Sequence, residues 1–224
     1  MERVLIVGDI HGRFGYLNAL ISKKKPDIVV CCGDFGYWPH FDEYCLDKIK
    51  TQGAKILFCD GNHEDHWSLR DRASDELAPG IFYKPRGSIH TLDDGRKMMF
   101  FGGANSIDKF HRTIGVDWFP EEMITQKDMM NLPDEKIDIF ITHTAPAEIV
   151  PTLKLNYPDK GLEPSNVALT ELWKIYRPNL WFFGHWHQFA KGDINDITRW
   201  FCLDAAGFGD RWWMWLKKGE DRMP

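Results

Sequence analysis

Val4-Leu5-Ile6-Val7-Gly8-Asp9-Ile10-His11-Gly12 is a short apolar run that stops in a glycine turn carrying an aspartate and a histidine. Its length suits a buried strand, and the Gly-Asp step sets polar groups just past the strand's carboxyl end. The pattern recurs. Ile28–Cys32 runs into Gly33-Asp34-Phe35-Gly36, and Lys55–Cys59 runs into Asp60-Gly61-Asn62-His63-Glu64. Ile137–Thr142 is followed by His143, and Leu180–Phe183 by Gly184-His185-Trp186-His187. Between the first three runs, segments 14–25 and 41–51 are long enough for crossover helices. The chain therefore begins βαβαβ, and a parallel sheet is expected.

Beyond residue 80 the pattern changes. Ile81–Tyr83, Ile89–Leu92 and Lys97–Phe101, punctuated by Pro85, Gly87 and Asp94-Gly95, read as short antiparallel strands with a hairpin. Leu169, Leu172, Trp173 and Tyr176 make a helical core stripe entered after Pro164-Ser165. Arg199–Leu203 and Trp212–Leu216 read as two further strands, the second contributing Trp212, Trp213 and Trp215 to a sheet core or a partner patch. Segment 151–165 reads as a loop, and a helix is expected near 121–130. Residues 1–224 read as one domain, with no internal repeat and no low-complexity linker.

Composition excludes several classes. Of 224 residues, 43% are hydrophobic and 14% aromatic, enough for a real core. Lys and Arg total 28 against 33 Asp and Glu, a formal charge of −5 that argues against a broad nucleic-acid-binding face. No apolar run approaches the roughly 20 residues of a membrane span. Cys31, Cys32, Cys45, Cys59 and Cys202 form no CxxC pair, and no charged leader precedes the first strand. The expectation is a soluble cytoplasmic protein with reduced thiols.

Ligands of open α/β sheets bind beyond the carboxyl ends of the strands. Singly, an aspartate there is a turn or helix cap and a histidine a surface residue. Collectively, Asp9, His11, Asp34, Asn62, His143, His185 and His187 lie at strand ends that a parallel sheet brings to one edge. Aspartates crowded at a dry edge repel unless a cation neutralises them. Carboxylates and imidazoles without thiolates suit Mn, Fe or Zn, and seven ligands are too many for one tetrahedral ion. Two ions roughly 3.5–4 Å apart clamp a phosphoryl group and generate a hydroxide nucleophile near neutral pH.

In their order and spacing these motifs resemble the calcineurin-like metallophosphoesterases. The resemblance covers residues 3 to about 190. It implies a four-layer α/β/β/α sandwich, two mixed sheets flanked by helices, with a dinuclear site at the sheet edges. It assigns Asp9, His11, Asp34 and His187 to one metal and Asp34, Asn62, His143 and His185 to the other, with Asp34 bridging. His63 is implied as the general acid for the leaving group, or as an orienter of Asn62.

The protein Ser/Thr phosphatases of this family carry GDxxDRG, whereas this chain has Gly33-Asp34-Phe35-Gly36-Tyr37-Trp38, with Tyr37 in place of the later Asp and no Arg. Its last motif is GHxH, where those phosphatases have a single His, so the chain looks more like the phosphodiesterase branches. A diester carries less charge than a monoester and needs fewer Arg forks. The expected activity is metal-dependent hydrolysis of phosphate esters with a nucleotide-like diester preferred. A phosphomonoesterase or protein phosphatase, a nuclease and an inactive metal-binding scaffold are the alternatives. Two divalent ions are expected, Mn first, then Fe or Zn. Arg112, Trp118 and Tyr37 are the expected substrate contacts, by phosphate grip, base stacking and pocket wall.

Overall fold

Alternate residues of the central strands fall into different hydrophobic clusters, and this alternation builds the layers. The structure is a computed structural model that describes residues 2–71, 74–130, 132–153 and 162–217. Its strands are β1 (Val4–Val7), β2 (Ile28–Cys31), β3 (Lys55–Phe58), β4 (Glu76–Ala78), β5 (Ile81–Tyr83) and β6 (Ser88–Thr91). These are followed by β7 (Lys97–Phe101), β8 (Ile139–Thr142), β9 (Leu180–Phe183), β10 (Ala190–Ile194), β11 (Thr198–Cys202) and β12 (Trp213–Trp215). The α-helices are α1 (Phe14–Lys24), α2 (His66–Arg70) and α3 (Pro164–Tyr176).

The first sheet has the order β12-β1-β2-β3-β5-β4 and the second β10-β11-β9-β8-β7-β6. Each is parallel at its centre and antiparallel at its edges. Val4, Ile6, Ile28, Val30 and Leu57 face Met98, Phe100, Ile139, Ile141, Leu180 and Phe182 in one cluster between the sheets. The intervening Leu5, Val7, Val29, Ile56 and Phe58 pack on Phe14, Leu17, Leu20 and Ile21 of α1. On the far side Met99, Phe101, Phe140, Trp181 and Phe183 pack on Leu169, Leu172 and Trp173 of α3. The expected α/β/β/α sandwich is the observed fold.

Local chemistry sets the helix ends. The N–H of Lys25, in the left-handed region, caps α1 on Ile21 O, and Pro26 follows. Glu163 and Asn166 form a capping box at the start of α3. Of the loop expected at 151–165, residues 154–161 lie outside the described residues, and Pro164 already belongs to α3.

Three expectations need correction. Segment 41–51 is two 3-10 turns, Asp42–Tyr44 and Leu46–Lys48, separated by extended Cys45. Within it only Ile49 is buried, so no apolar face sustains a longer helix. The helix near 121–130 is one 3-10 turn, Pro120–Glu122. There Arg86 donates to the carbonyls of Glu121, Glu122 and Met123 at 2.9, 3.0 and 2.8 Å, taking acceptors that a helical ladder would use. Finally, β5 joins the first sheet parallel to β3, whereas β6 and β7 form a hairpin in the second. No helix among the described residues is long and apolar enough to cross a membrane.

Candidate metal centre

The strands β1, β2 and β3 deliver Asp9, His11, Asp34 and Asn62 from the first sheet; β8 and β9 deliver His143, His185 and His187 from the second. The seven meet across the gap between the sheets. His187 Nε2 lies 3.0 Å from Asp9 Oδ2 and 3.0 Å from His11 Nε2. His11 Nε2 lies 3.6 Å from Asp34 Oδ2. The other carboxylate oxygen of Asp34 lies 3.4 Å from His143 Nε2. Asn62 Oδ1 stands 3.0 Å from both His143 Nε2 and His185 Nδ1. Asp34 thus faces imidazole nitrogens on two sides, His11 through one oxygen and His143 through the other.

Backbone geometry holds this arrangement. Asp34 Oδ1 accepts the N–H groups of Asn62 and His63 at 2.9 and 2.8 Å. Both oxygens of Asp9 accept from the His185 N–H at 3.0 Å. A Cβ on Gly184 would sit 1.8 Å from Asp9 Oδ1, and one on Gly61 2.1 Å from Asp34 Oδ1, so these carboxylates require glycine opposite them. His11, Asp34, His185 and His187 adopt φ of 49°, 44°, 65° and 46°, the left-handed region that side chains occupy at a cost.

Charge is concentrated here. Burial alone would raise the Asp34 carboxyl, but His143, His63 and His11 outweigh it and hold it well below the usual carboxylate range. Burial alone would lower His143, but Asp34 beside it pushes it up to about 10. Asp34 and His143 thus compensate one another's burial. Carboxylate, amide and imidazole donors without thiolate fit a divalent cation of the Mn, Fe or Zn type. Asp9, His11, Asp34 and His187 each offer an atom within 4.8 Å of the others, a group able to hold one metal.

The remaining expected residues fall in different places. The His63 ring packs edge-on against His11, with centroids 5.1 Å apart, and burial lowers its pKa. Arg112 Nη2 lies 3.1 Å from His63 Nε2 and donates to Asp108 at 2.9 Å. Tyr37, at 2% exposure, packs in the core with Phe35 and Leu69, so it backs the site and forms no pocket wall. Trp118 is half-buried and turns its indole nitrogen inward beside Glu122. Asp65 caps α2 by accepting from Ser68 N at 3.0 Å.

Other residues escape a sequence reading. Glu64 is fully buried and ties two ligand loops together, accepting from Gly36 N at 3.0 Å and Gly61 N at 2.6 Å. Phe208 is 62% exposed, stacks on His187 with centroids 5.7 Å apart, and carries the Arg13 guanidinium 4.4 Å over its ring. Ser106 links Asn62 to Glu122. Burial pushes the Glu122 carboxyl up, against the donors from Ser106. Arg86 pairs with the fully buried Asp60 at 2.6 Å. Only Asp60 and Glu64 carried a local signal, being embedded in the motif after β3.

Residues 2–189 match the family model described as calcineurin-like phosphoesterase. No curated protein matches the chain. Among solved structures, TT1561 of Thermus thermophilus is 12% identical, with a TM-score of 0.53 over 92% of this chain and 90% of that one. The phosphopantetheinyl hydrolase of Mycobacterium tuberculosis is 13% identical, with a TM-score of 0.52 over 100% of this chain and 99% of that one. At such identities the likeness reaches the fold alone. Because the family match runs from β1 through the loop after β9, it takes in the strand ends that carry all seven candidate residues, and the chain belongs to the calcineurin-like phosphoesterases.

Proposed function

We propose that the protein hydrolyses phosphodiesters of nucleotide-like size, using two divalent ions, Mn²⁺ by preference. The observation that carries this reading is the placement of Asp34, with one oxygen toward His11 and the other toward His143. Bound there, a pair of divalent ions neutralises phosphoryl charge and supplies a nucleophile from water near neutral pH. Asp9, His11, Asp34 and His187 form one ligand group; Asp34, Asn62, His143 and His185 form the other. Arg112 grips a non-bridging phosphate oxygen. In the substrate-free arrangement its Nη2 donates to His63 Nε2, so that nitrogen acts as an acceptor. Engagement of Arg112 by phosphate vacates His63 Nε2, which then takes a proton from solvent, favoured by the Asp34 carboxylate nearby, and passes it to the departing ester oxygen. Phe208, largely exposed beside His187, is the aromatic surface against which a planar leaving group packs.

Arg112 brings one guanidinium to His63, while Arg13 is held on the Phe208 ring and the Ala206 carbonyl, and a single fork suits a monoanionic diester better than a dianionic monoester. The metal-free protein, reloaded with Mn²⁺, Fe²⁺ or Zn²⁺, is expected to turn over bis-p-nitrophenyl phosphate faster than p-nitrophenyl phosphate. A monoester preference overturns the diester assignment, and no turnover with any metal overturns the enzyme reading. Arg112→Ala is expected to raise KM for a nucleotide diester and for the aryl diester alike; an unchanged KM for both refutes its grip. His63→Asn is expected to lower kcat by about 10²–10⁴, the range for a general acid, with metal stoichiometry unchanged. Loss of metal in that variant makes His63 an orienter instead.

A further inference from the structure

An asparagine amide has two chemically opposite ends: its oxygen can ligate a cation and its NH₂ cannot. Asn62 Oδ1 is the end turned toward His143 and His185. On its other side, Nδ2 donates to Ser106 Oγ at 3.0 Å. Ser106 Oγ lies 2.7 Å from Glu122 Oε2, and Ser106 N donates to Glu122 Oε1 at 2.6 Å. Asn62, Ser106 and Glu122 are 6%, 3% and 1% exposed, so water does not compete for these groups. The carbonyl of Glu122 is itself fixed by Ala104 N at 3.0 Å and Arg86 Nη2 at 3.0 Å.

The direction of this chain of bonds follows from what each group can do. A carboxylate only accepts, so the single hydroxyl hydrogen of Ser106 points to Glu122. Ser106 Oγ then presents a lone pair to Asn62, and only the NH₂ end of the amide satisfies it. The polarity set at Glu122 is passed through one hydroxyl and arrives at Asn62 as an orientation.

We propose that Ser106 and Glu122 are positioning residues that hold the Asn62 oxygen toward His143 and His185, and so set the affinity of the second ligand group for its divalent ion. The proposal rests on Asn62 being a ligand. Glu122→Gln is the sharpest variant because it keeps shape and reverses polarity. The glutamine oxygen accepts from Ser106 N, its NH₂ donates to Ser106 Oγ, and the hydroxyl hydrogen then turns to Asn62 and favours the flipped amide.

The test is calorimetric titration of the metal-free protein with Mn²⁺. The wild type is expected to bind two ions. Glu122→Gln and Ser106→Ala are expected to weaken the second ion by about 10–100-fold, the scale on which residues behind a ligand act, with the first ion's affinity unchanged. Ser106→Thr, which keeps the hydroxyl, is expected to retain both. Asn62→Ala serves as the reference. If Asn62→Ala weakens the second ion while Glu122→Gln and Ser106→Ala do not, positioning is refuted and the metal centre stands. If Asn62→Ala leaves the second ion untouched, the ligand reading itself fails. Equal weakening of both ions, with a lowered melting temperature, assigns Ser106 and Glu122 to general stability and also refutes the proposal.

Discussion

Asp34→Asn is expected to leave a folded protein that has lost one of two ions and about 10³-fold or more of its activity. Asparagine keeps the oxygen that accepts from Asn62 N and His63 N at 2.9 and 2.8 Å, and it tolerates the left-handed φ of 44°. The turns after β2 and β3 therefore keep their anchor. What disappears is the charge shared between the two ligand groups and one oxygen able to serve as an anionic ligand. Metal-based stabilisation of phosphoryl transfer is worth several kcal/mol, and ~4 kcal/mol corresponds to about 10³ in rate. Metal content by mass spectrometry and kcat/KM, measured on one sample, decide the matter. An active variant that still holds two ions overturns the bridging role of Asp34.

Arg86→Met is expected to cost ~3–5 kcal/mol of stability, the usual penalty for removing one partner of a buried pair. The Arg86 side chain is 4% exposed and Asp60 is fully buried, so methionine fills the space and leaves a carboxylate without its cation. The same guanidinium also holds Asp128 at 2.9 Å and three carbonyls of the 121–123 segment. At roughly 2–4 °C per kcal/mol for a chain of this size, the melting temperature should fall by about 10 °C. The pH dependence carries a sign. In the intact protein burial opposes ionisation of Asp60, but Arg86 holds its pKa down to about 2 from 3.8. That contribution is present above the ordinary value and is lost as pH falls through the lowered one. Without Arg86, burial raises the Asp60 pKa instead, and the sign reverses. The deficit of Arg86→Met should therefore shrink on acidification from neutral pH toward the ordinary carboxylate range. A deficit that is independent of pH, or below about 1 kcal/mol, contradicts this account of the pair.

The legible elements were those whose burial is complete. The β1, β2, β8 and β9 strands are buried at every position, so their apolar runs stand out and their ends mark the candidate site. The edge strands β4 and β10 were missed because Ala190-Lys191-Gly192-Asp193-Ile194 and Glu76-Leu77-Ala78 take their conformation from neighbours, not from a pattern of their own. Segment 41–51 had helical length without a face to bury. Tyr37 was misplaced because no periodicity tells which way a side chain in a loop turns. Arg86, Ser106 and Glu122 were invisible for another reason. Ser106 and Glu122 are 16 residues apart, Asn62 is 44 from Ser106, and Asp60 is 26 from Arg86, so nothing local marks them as partners.

Four residues at the metal centre sit in a backbone conformation that glycine would occupy freely and they do not. Each left-handed histidine costs about 1–2 kcal/mol that a glycine would recover. Replacing one of them by glycine relieves that strain but withdraws an imidazole held against the buried Asp9, Asp34 or Asn62 and adds the backbone entropy of glycine, so the contacts of the site hold the strain in place. Backbone strain and side-chain contacts pull in opposite directions at these positions, so a stabilised variant of this chain has to take its gains from elsewhere in the sandwich.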